Sequence, residues 1–186
     1  MTEKKHQYPT QPSLVGAKVY LRPLTPDDLV NLHYWSVRSE PQSMSSRPRD
    51  FRTAAEVAEG YRKADRSPDT HGFAVVRKKE NALVGLVRFF NLNTLNRSAE
   101  LGLMIDPDER KKGYGADAIK VLSSFLFHYR GLNKVYAMTA GFNGGAVALL
   151  ESLGFKRDAT LRDHFFYKGQ FHPGYIYSLL LFEVAQ

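Results

Sequence analysis

The sequence from Asp106 to Leu122, DPDERKKGYGADAIKVL, combines a charged turn, a Gly-x-Gly pair and the start of an amphipathic helix. The preceding residues, LGLMI, are typical of a buried strand. Apolar residues of the helix recur with a spacing of three or four, at Ala118, Val121, Leu122, Phe125 and Leu126. Backbone N–H groups at a helix N-terminus attract anions, and glycine lets an anion approach them closely. The stretch therefore predicts a strand–loop–helix unit that binds an anion.

Two common phosphate-binding loops do not fit this stretch. A P-loop requires Gly-Lys followed by Ser or Thr, whereas Lys112 here precedes Gly113 and neither Ser nor Thr follows. A dinucleotide-binding fingerprint requires a strand that runs directly into the glycines and an acidic residue about twenty positions later. Here PDERKK intervenes, and no acidic residue lies between Tyr136 and Asn143. The glycine pair must therefore belong to another kind of loop.

Hydrophobic periodicity predicts alternating strands and helices along the chain. Strands are expected at 17–24, 72–78, 82–92, 98–105, 133–140, 155–167 and 171–182. Helices are expected after Thr25, over 53–65 behind a Thr53/Glu56 capping box, over 115–129 and over 143–152. Short turns make most neighbouring strands antiparallel, whereas 98–105 and 133–140, joined across a helix, should be parallel. The order predicts a mixed α+β fold with a mostly antiparallel central sheet of about six to seven strands.

Length and composition fit one domain. Residues 1–16 are expected to be a flexible N-terminal lead-in, and residues 17–186 to form the folded domain. The N-terminus lacks the apolar run of a signal peptide, and no apolar stretch reaches the roughly 18 residues that span a bilayer. The chain has no cysteine, which excludes disulfides and thiolate ligands and suits the cytoplasm, the location that we expect.

The net charge of +7 favours acidic partners, among them phosphorylated small molecules and nucleic acids. A nucleic-acid module needs an extended basic stripe with exposed aromatic residues, and the compact cationic cluster here is limited to 110–112. The six histidines lack paired metal-ligand spacing, so no metal site is predicted. Nucleic-acid binding is therefore disfavoured, and no membrane association is expected.

Three segments resemble the GCN5-related N-acetyltransferase (GNAT) family. The loop 110–115, RKKGYG, matches the family's Arg/Gln-x-x-Gly-x-Gly/Ala pattern at every fixed position. The segment 142–158 carries the family's Asn-x-x-Ala and Leu-Gly-Phe residues, at Asn143, Ala146 and 153–155. The tail, LRDHFFYKGQFHPGYIYSLL, is similar to that of RimJ/RimL-type acetyltransferases, although Pro173 stands where that group often has Asp. The resemblance implies the acyl-CoA N-acyltransferase fold, with helices on both faces of the sheet.

The resemblance also implies acetyl-CoA as co-substrate. Its diphosphate would lie on backbone N–H groups of the loop and of the first helical turn, with three cations at the rim. Asn143 would contact the pantetheine arm, and its position equally predicts a helix N-cap. The residues expected to bind the cofactor are Leu103, Met104, Ile105, Arg110, Lys111, Lys112, Gly113, Tyr114, Gly115, Ala116 and Asn143.

Glu100 is the expected catalytic base. It matches an Ala-Glu-Leu position at which similar enzymes have an acid, and strand alternation places it on the same face as Gly102. The alternative is an edge carboxylate paired with Arg88 or Arg97. If this strand separates from its neighbour, unpaired backbone N–H groups near 103–105 would stabilise the oxyanion.

The proton donor to the leaving thiolate is left open. Leu150 occupies the position at which many related enzymes have Tyr, and water, Ser152 or Tyr167 are the alternatives. A thiol with a pKa of about 8.5 leaves with little assistance near neutral pH. An α-amine is easier to deprotonate than a lysine amine, whose pKa is about 10.4. We expect an N-terminal amine or a mildly basic small amine as acceptor, and the positive net charge argues against polyamines.

The sequence thus predicts an N-acetyltransferase that moves an acetyl group from acetyl-CoA to a primary amine by direct attack on the thioester. A second hypothesis is an acyl-CoA-binding domain without catalysis, acting as a sensor or scaffold. Replacement of Glu100 by Gln separates the two, because it should abolish turnover in an enzyme and leave a binding protein unaffected. A homodimer formed through the tail strands is a further expectation.

Overall fold

A computed structural model describes residues 14–39, 53, 55–56, 59–60 and 70–184. Eight strands form one sheet, in the order β1-β2-β3-β4-β5-β6-β8-β7. The strands are Leu14–Val15 (β1), Val19–Pro23 (β2), His71–Arg77 (β3), Ala82–Asn93 (β4), Ser98–Ile105 (β5), Lys134–Ala140 (β6), Lys156–Tyr167 (β7) and Gln170–Leu180 (β8). The helices are Pro26–Arg38 (α1), Tyr114–His128 (α2), Gly144–Ser152 (α3) and Leu181–Val184 (α4). Neighbouring strands are antiparallel except β5 and β6, which are parallel as predicted.

The predicted mixed α+β fold is confirmed, with differences at both ends of the sheet. Leu14 and Val15, assigned to the lead-in, pair with β2 as a short extra strand, so the sheet has eight strands rather than six or seven. This happens because the Leu14 side chain is buried in the core. The last strand ends at Leu180, and Leu181–Val184 form a helical turn because the Glu183 carboxylate accepts the Leu180 N–H at 2.9 Å.

The predicted helix at 53–65 is described only in part. The backbone is helical at 55–56 and 59–60, and the capping box is present, since the Thr53 N–H donates to Glu56 at 2.7 Å. The other residues of 53–65, and residues 40–52 and 1–13, lie outside the described residues.

Helices pack against both faces of the sheet. On one face, α2 and α3 cover a core that includes Leu122 and Leu126, both fully buried. On the opposite face, Leu32 and Trp35 of α1 pack against Leu86 of β4. Each fully buried side chain of this size contributes about 1.5–3 kcal/mol to folding. None of the helices in the described ranges is long and apolar enough to cross a bilayer.

Asp117 in the first turn of α2 joins this helix to the beginning of the sheet. Its carboxylate accepts the backbone N–H groups of Ala17, Lys18 and Val19 at 3.0, 2.6 and 2.9 Å. Burial raises the pKa of Asp117, but the three hydrogen bonds and the charge of Lys78 together lower it by more. The pKa is therefore below the usual value. The contact fixes the helix that carries the glycine loop.

Replacing Asp117 by Asn should destabilise the protein by about 1–2 kcal/mol at pH 7, because an amide accepts fewer and weaker bonds than a partly exposed carboxylate. Because the folded pKa is depressed, this stabilisation is complete above the unfolded pKa of about 3.9 and is lost as the pH falls through the folded pKa. Urea denaturation at pH 7 and below pH ~4 checks both statements. A difference that persists undiminished in acid would contradict the assigned role of the carboxylate.

Candidate active site

The glycine loop enters α2 through a left-handed turn. Gly113 is the N-cap residue with φ of 86°, and Lys111 has φ of 61°. The Asp117 N–H bonds to the Gly113 carbonyl at 3.1 Å, so the N–H groups of 114–116 precede this intrahelical bond. No side chain caps this end. Unpaired donors at the positive end of the helix dipole form a surface suited to a phosphate group.

Gly115 has a packing role. An ideal Cβ on this residue would lie 2.9 Å from Leu103 Cδ2 and 3.4 Å from Ile105 Cγ1. The missing side chain lets α2 lie directly on β5, the strand that precedes the loop. The two glycines thus differ in function, since Gly113 provides the backbone conformation and Gly115 the close approach of the helix to the strand.

Arg110 differs from the predicted rim cation. Its Nε donates to the Ile105 carbonyl at 3.4 Å, and its terminal nitrogen donates to the Ser39 hydroxyl, beyond the end of α1, at 2.7 Å. The guanidinium therefore braces the loop against β5 and α1. Lys111 is exposed at the rim.

The rest of the loop is held by an ion-pair network. The Lys112 ammonium lies 2.9 Å from the Glu109 carboxylate, which is 3.4 Å from Arg77 of β3. The nearby Tyr114 hydroxyl, at the first position of α2, is the main cause that raises the pKa of the Arg77 guanidinium. Lys18, which the sequence did not single out, donates to the Lys112 carbonyl at 2.9 Å. These contacts fix the backbone that presents the N–H groups.

The parallel strands β5 and β6 separate within the sheet. Their register pairs 98–100 with 134–136 and ends there. Beyond this point β5 stays paired with β4 as far as Ile105, and β6 stays paired with β8 as far as Ala140. A gap therefore opens between the two strands just after Glu100 and extends along β5 toward the glycine loop.

The antiparallel ladder determines which β5 groups face the gap. The Asp106 N–H bonds to the Val84 carbonyl at 2.9 Å, so every second residue back along β5, including Met104, directs its backbone toward β4. Leu103 and Ile105 direct their N–H groups the other way, into the gap. Met104 differs from the prediction because its N–H faces β4 and its side chain packs beside α1.

Glu100 is half-buried at the base of this gap. Its carboxylate accepts a hydrogen bond from Asn91 Nδ2 at 2.9 Å. The alternative of a paired edge carboxylate is not what the structure shows. Arg97 donates instead to the Gly131 carbonyl at 2.6 Å, and Arg88 acts on Glu100 only through its charge.

The surroundings of Glu100 strengthen it as a base. Burial raises its pKa above the usual value, and the Asn91 hydrogen bond and the Arg88 charge offset only part of this increase. Tyr136 lies opposite on β6, and burial and the Glu100 charge raise the pKa of its hydroxyl. A carboxylate with a raised pKa accepts a proton more readily, as general base catalysis requires.

Replacing Asn91 by Asp should raise the pKa of Glu100 further, because a donor is lost and a like charge is added. Aspartate tolerates the left-handed φ of 51° at this position, so the backbone should be retained. A ¹³C NMR titration of the Glu100 carboxyl group, assigned with the Glu100→Gln variant, measures the change. An unchanged midpoint would show that Asn91 does not control this carboxylate.

The helix α3 follows β6, the strand on the other side of the gap. Asn143 is the N-cap of α3, and its Oδ1 accepts the Ala146 N–H at 3.1 Å, as one of its two predicted roles requires. Leu149 approaches the beginning of α2, since an ideal Cβ on Gly115 would lie 3.7 Å from Leu149 Cδ2. The N-terminal end of α2 and α3 therefore meet beside the gap.

Of the side chains considered as proton donors to a thiolate, Ser152 is engaged within its own helix. Leu150 is buried in the core, and the Ser152 hydroxyl donates to the Leu149 carbonyl at 2.7 Å. The Tyr167 ring stacks on Phe142, with centroids 4.5 Å apart.

Sequence reasoning missed Asn91 and Tyr136 as neighbours of Glu100. The strands of Glu100 and Tyr136 were predicted to pair in parallel. The register that brings these two residues together is not a local property of the sequence. Asn91 reaches Glu100 through an irregularity in the β4–β5 pairing that has no sequence signal. In the described part of the chain, no cluster of three or more His, Cys, Asp or Glu side chains could hold a metal ion.

Comparisons with known proteins agree with this geometry. Residues 18–156 match the family model described as an acetyltransferase (GNAT) domain. The chain is 26% identical to an uncharacterized N-acetyltransferase p20 of Bacillus licheniformis over 93% of this chain and 98% of the relative. It is 33% identical to a spermidine N(1)-acetyltransferase of Vibrio cholerae over 52% of this chain and 56% of the relative.

The fold also matches solved acetyltransferase structures. A spermidine N-acetyltransferase from Vibrio cholerae, in complex with CoA and spermine, superposes with a TM-score of 0.82 at 26% identity. The match covers 91% of this chain and 99% of that chain. The chain has a glycine loop at a helix N-terminus and strands that separate beside it, and a family model matches most of its length. It therefore belongs to the GNAT family of acetyl-CoA-dependent N-acetyltransferases.

Proposed function

We propose that this protein acetylates a primary amine by direct attack on acetyl-CoA, with Glu100 as the general base. Acetyl-CoA supplies the activated thioester. The amine nitrogen forms a bond to the acetyl carbon, its proton passes to Glu100 directly or through water, and the C–S bond breaks with its electrons on sulfur. Water is the simplest proton source for the thiolate, because Ser152 already donates to a helix carbonyl.

The observation that carries the proposal is the separation of β5 and β6 immediately after Glu100. The gap leads from this half-buried carboxylate to the glycine loop. An acyl chain lying in the gap would bring its reactive carbon close to a base whose pKa burial has raised. Such positioning accounts for a large part of the acceleration in transfer reactions.

Two sets of backbone donors serve the co-substrate in this proposal. The N–H groups of 113–116 would bind the diphosphate, with the exposed Lys111 ammonium nearby. The N–H groups of Leu103 and Ile105 would bind the pantetheine arm and the oxyanion that forms on the acetyl oxygen. Asn143 retains its side-chain N–H₂ as a donor, since its oxygen is engaged at the helix cap.

The acceptor is proposed to be a peptide α-amine or a mildly basic small amine. The tail's similarity to RimJ/RimL-type enzymes favours a peptide N-terminus, whereas the names of relatives point to spermidine. Among the described residues, the cation Arg88 lies near Glu100. A cation beside the proposed base disfavours a polycationic acceptor.

A CoA-release assay tests the proposal with N-terminal peptides, amino sugars, aminoglycosides and polyamines. We expect acetylation of α-amines or weakly basic small amines, with the acetyl group found on nitrogen by mass spectrometry. Failure of every amine class in a protein that binds acetyl-CoA would refute the proposed activity.

A further inference from the structure

Arg88 lies near Glu100 on a part of the sheet where its partners on both adjacent strands are glycines. The register pairs it with Gly72 of β3 and with Gly102 of β5. An ideal Cβ on Gly102 would lie 3.1 Å from Arg88 Nε, so the side chain lies across the backbone of β5. Its guanidinium carbon is 4.8 Å from the ring centroid of Phe90, the residue opposite Glu100. The cation is therefore fixed next to the proposed base.

Within the described residues this guanidinium has no hydrogen-bonded anionic partner, and it interacts with Glu100 only through its charge. Among the described residues, Arg88 forms no ion pair and no side-chain hydrogen bond. Asp158, a carboxylate on the same face, is instead paired with Lys134 at 2.5 Å and accepts the Ser178 hydroxyl at 2.8 Å. The guanidinium of a half-buried arginine, with unused N–H groups, is well suited to bind a carboxylate or phosphate through two parallel hydrogen bonds.

We propose that Arg88 binds an anionic group of the acceptor, so that the preferred substrates are amines with a carboxylate or phosphate a few bonds from the reacting nitrogen. This inference rests on the proposed function, because it requires the amine to approach Glu100. Side chains at diagonal positions of an antiparallel pair are roughly 7–8 Å apart at Cα. One small molecule, or the first residue of a peptide, spans that distance. A polyamine would bring a second cation to Arg88 and be repelled.

The experiment compares amines that differ in one anionic group. The pairs are phosphoethanolamine with ethanolamine and β-alanine with β-alaninamide, and spermidine serves as the polycation. We expect wild-type kcat/KM to be roughly tenfold higher for the anionic member, the order of one charge-assisted hydrogen bond. Arg88→Gln should abolish this preference, and Arg88→Lys should keep part of it, because an ammonium retains the charge without the planar fork.

Two further variants test whether the preference comes from the Arg88 side chain at its position rather than from the net charge of the protein. Arg130→Gln makes the same charge change just beyond the exposed end of α2 and should retain the full preference. Gly102→Ala should reduce the preference without any change of charge, since the new Cβ displaces the Arg88 side chain. Because every variant meets the same amines, differences in amine pKa cancel when the variants are compared.

The outcomes are distinct for the inference and for the activity itself. A preference limited to the phosphate pair or to the carboxylate pair supports the proposal and identifies the anion. No anionic preference in the wild type, or one that Arg88→Gln leaves intact, overturns it. If no amine is acetylated, calorimetric binding of phosphoethanolamine and β-alanine to the CoA-bound protein decides. Binding lost in Arg88→Gln supports the anion site while refuting acetylation, and binding independent of Arg88 overturns the anion site.

Discussion

Replacing Glu100 by Gln is expected to lower kcat by about 10²–10⁴-fold, the usual contribution of a positioned general base. The CoA affinity should remain that of the wild type, because Glu100 lies at the base of the gap and the diphosphate donors lie at the beginning of α2. Glutamine keeps the size of the side chain and can still accept a hydrogen bond from Asn91 Nδ2. The loss would therefore reflect the missing base rather than a misfolded site.

Steady-state rates and calorimetric titration with CoA measure the two quantities separately. Asp27→Asn is the control, since it makes the same carboxylate-to-amide change at an exposed position in the first turn of α1. Wild-type turnover in Glu100→Gln would remove Glu100 from the mechanism. Loss of CoA affinity would instead give it a binding role.

Replacing Gly113 by Ala is expected to weaken CoA binding by roughly tenfold. An L-residue in the left-handed region costs about 1–2 kcal/mol, so at φ of 86° the backbone should relax and turn its N–H groups away from the diphosphate. Turnover at saturating acetyl-CoA should change far less, because Glu100 and the gap are untouched.

Gly131→Ala is the matched control for this variant. Gly131 also has a left-handed φ, of 65°, and a Cβ there would meet nothing within 4 Å. Both variants should lower the melting temperature, but only Gly113→Ala should raise the Kd for CoA. Equal CoA affinities of the two variants would contradict the assignment of the loop.

Local features of the fold could be predicted from the sequence. The strand 98–105 and the N-cap at Asn143 follow from alternation and capping, which depend on neighbouring residues. The loop was recognised because its glycines and basic residues are contiguous in sequence.

Features that depend on long-range pairing could not be predicted. The hydrogen bond of Arg110 to Ser39 joins residues 71 positions apart, so the sequence favoured a rim cation over a brace. The β4–β5 register decides whether the N–H group of Leu103 or that of Met104 faces the gap. Register depends on the pairing of distant strands rather than on local sequence.

The central claim is that backbone N–H groups at the beginning of α2 bind the diphosphate of CoA while its pantetheine arm lies between β5 and β6. A crystal structure of the protein with CoA tests this most directly. The account predicts diphosphate oxygens about 3 Å from the backbone nitrogens of 113–116, and the arm beside Leu103 and Ile105. CoA bound elsewhere, or a gap filled by side chains, would contradict it.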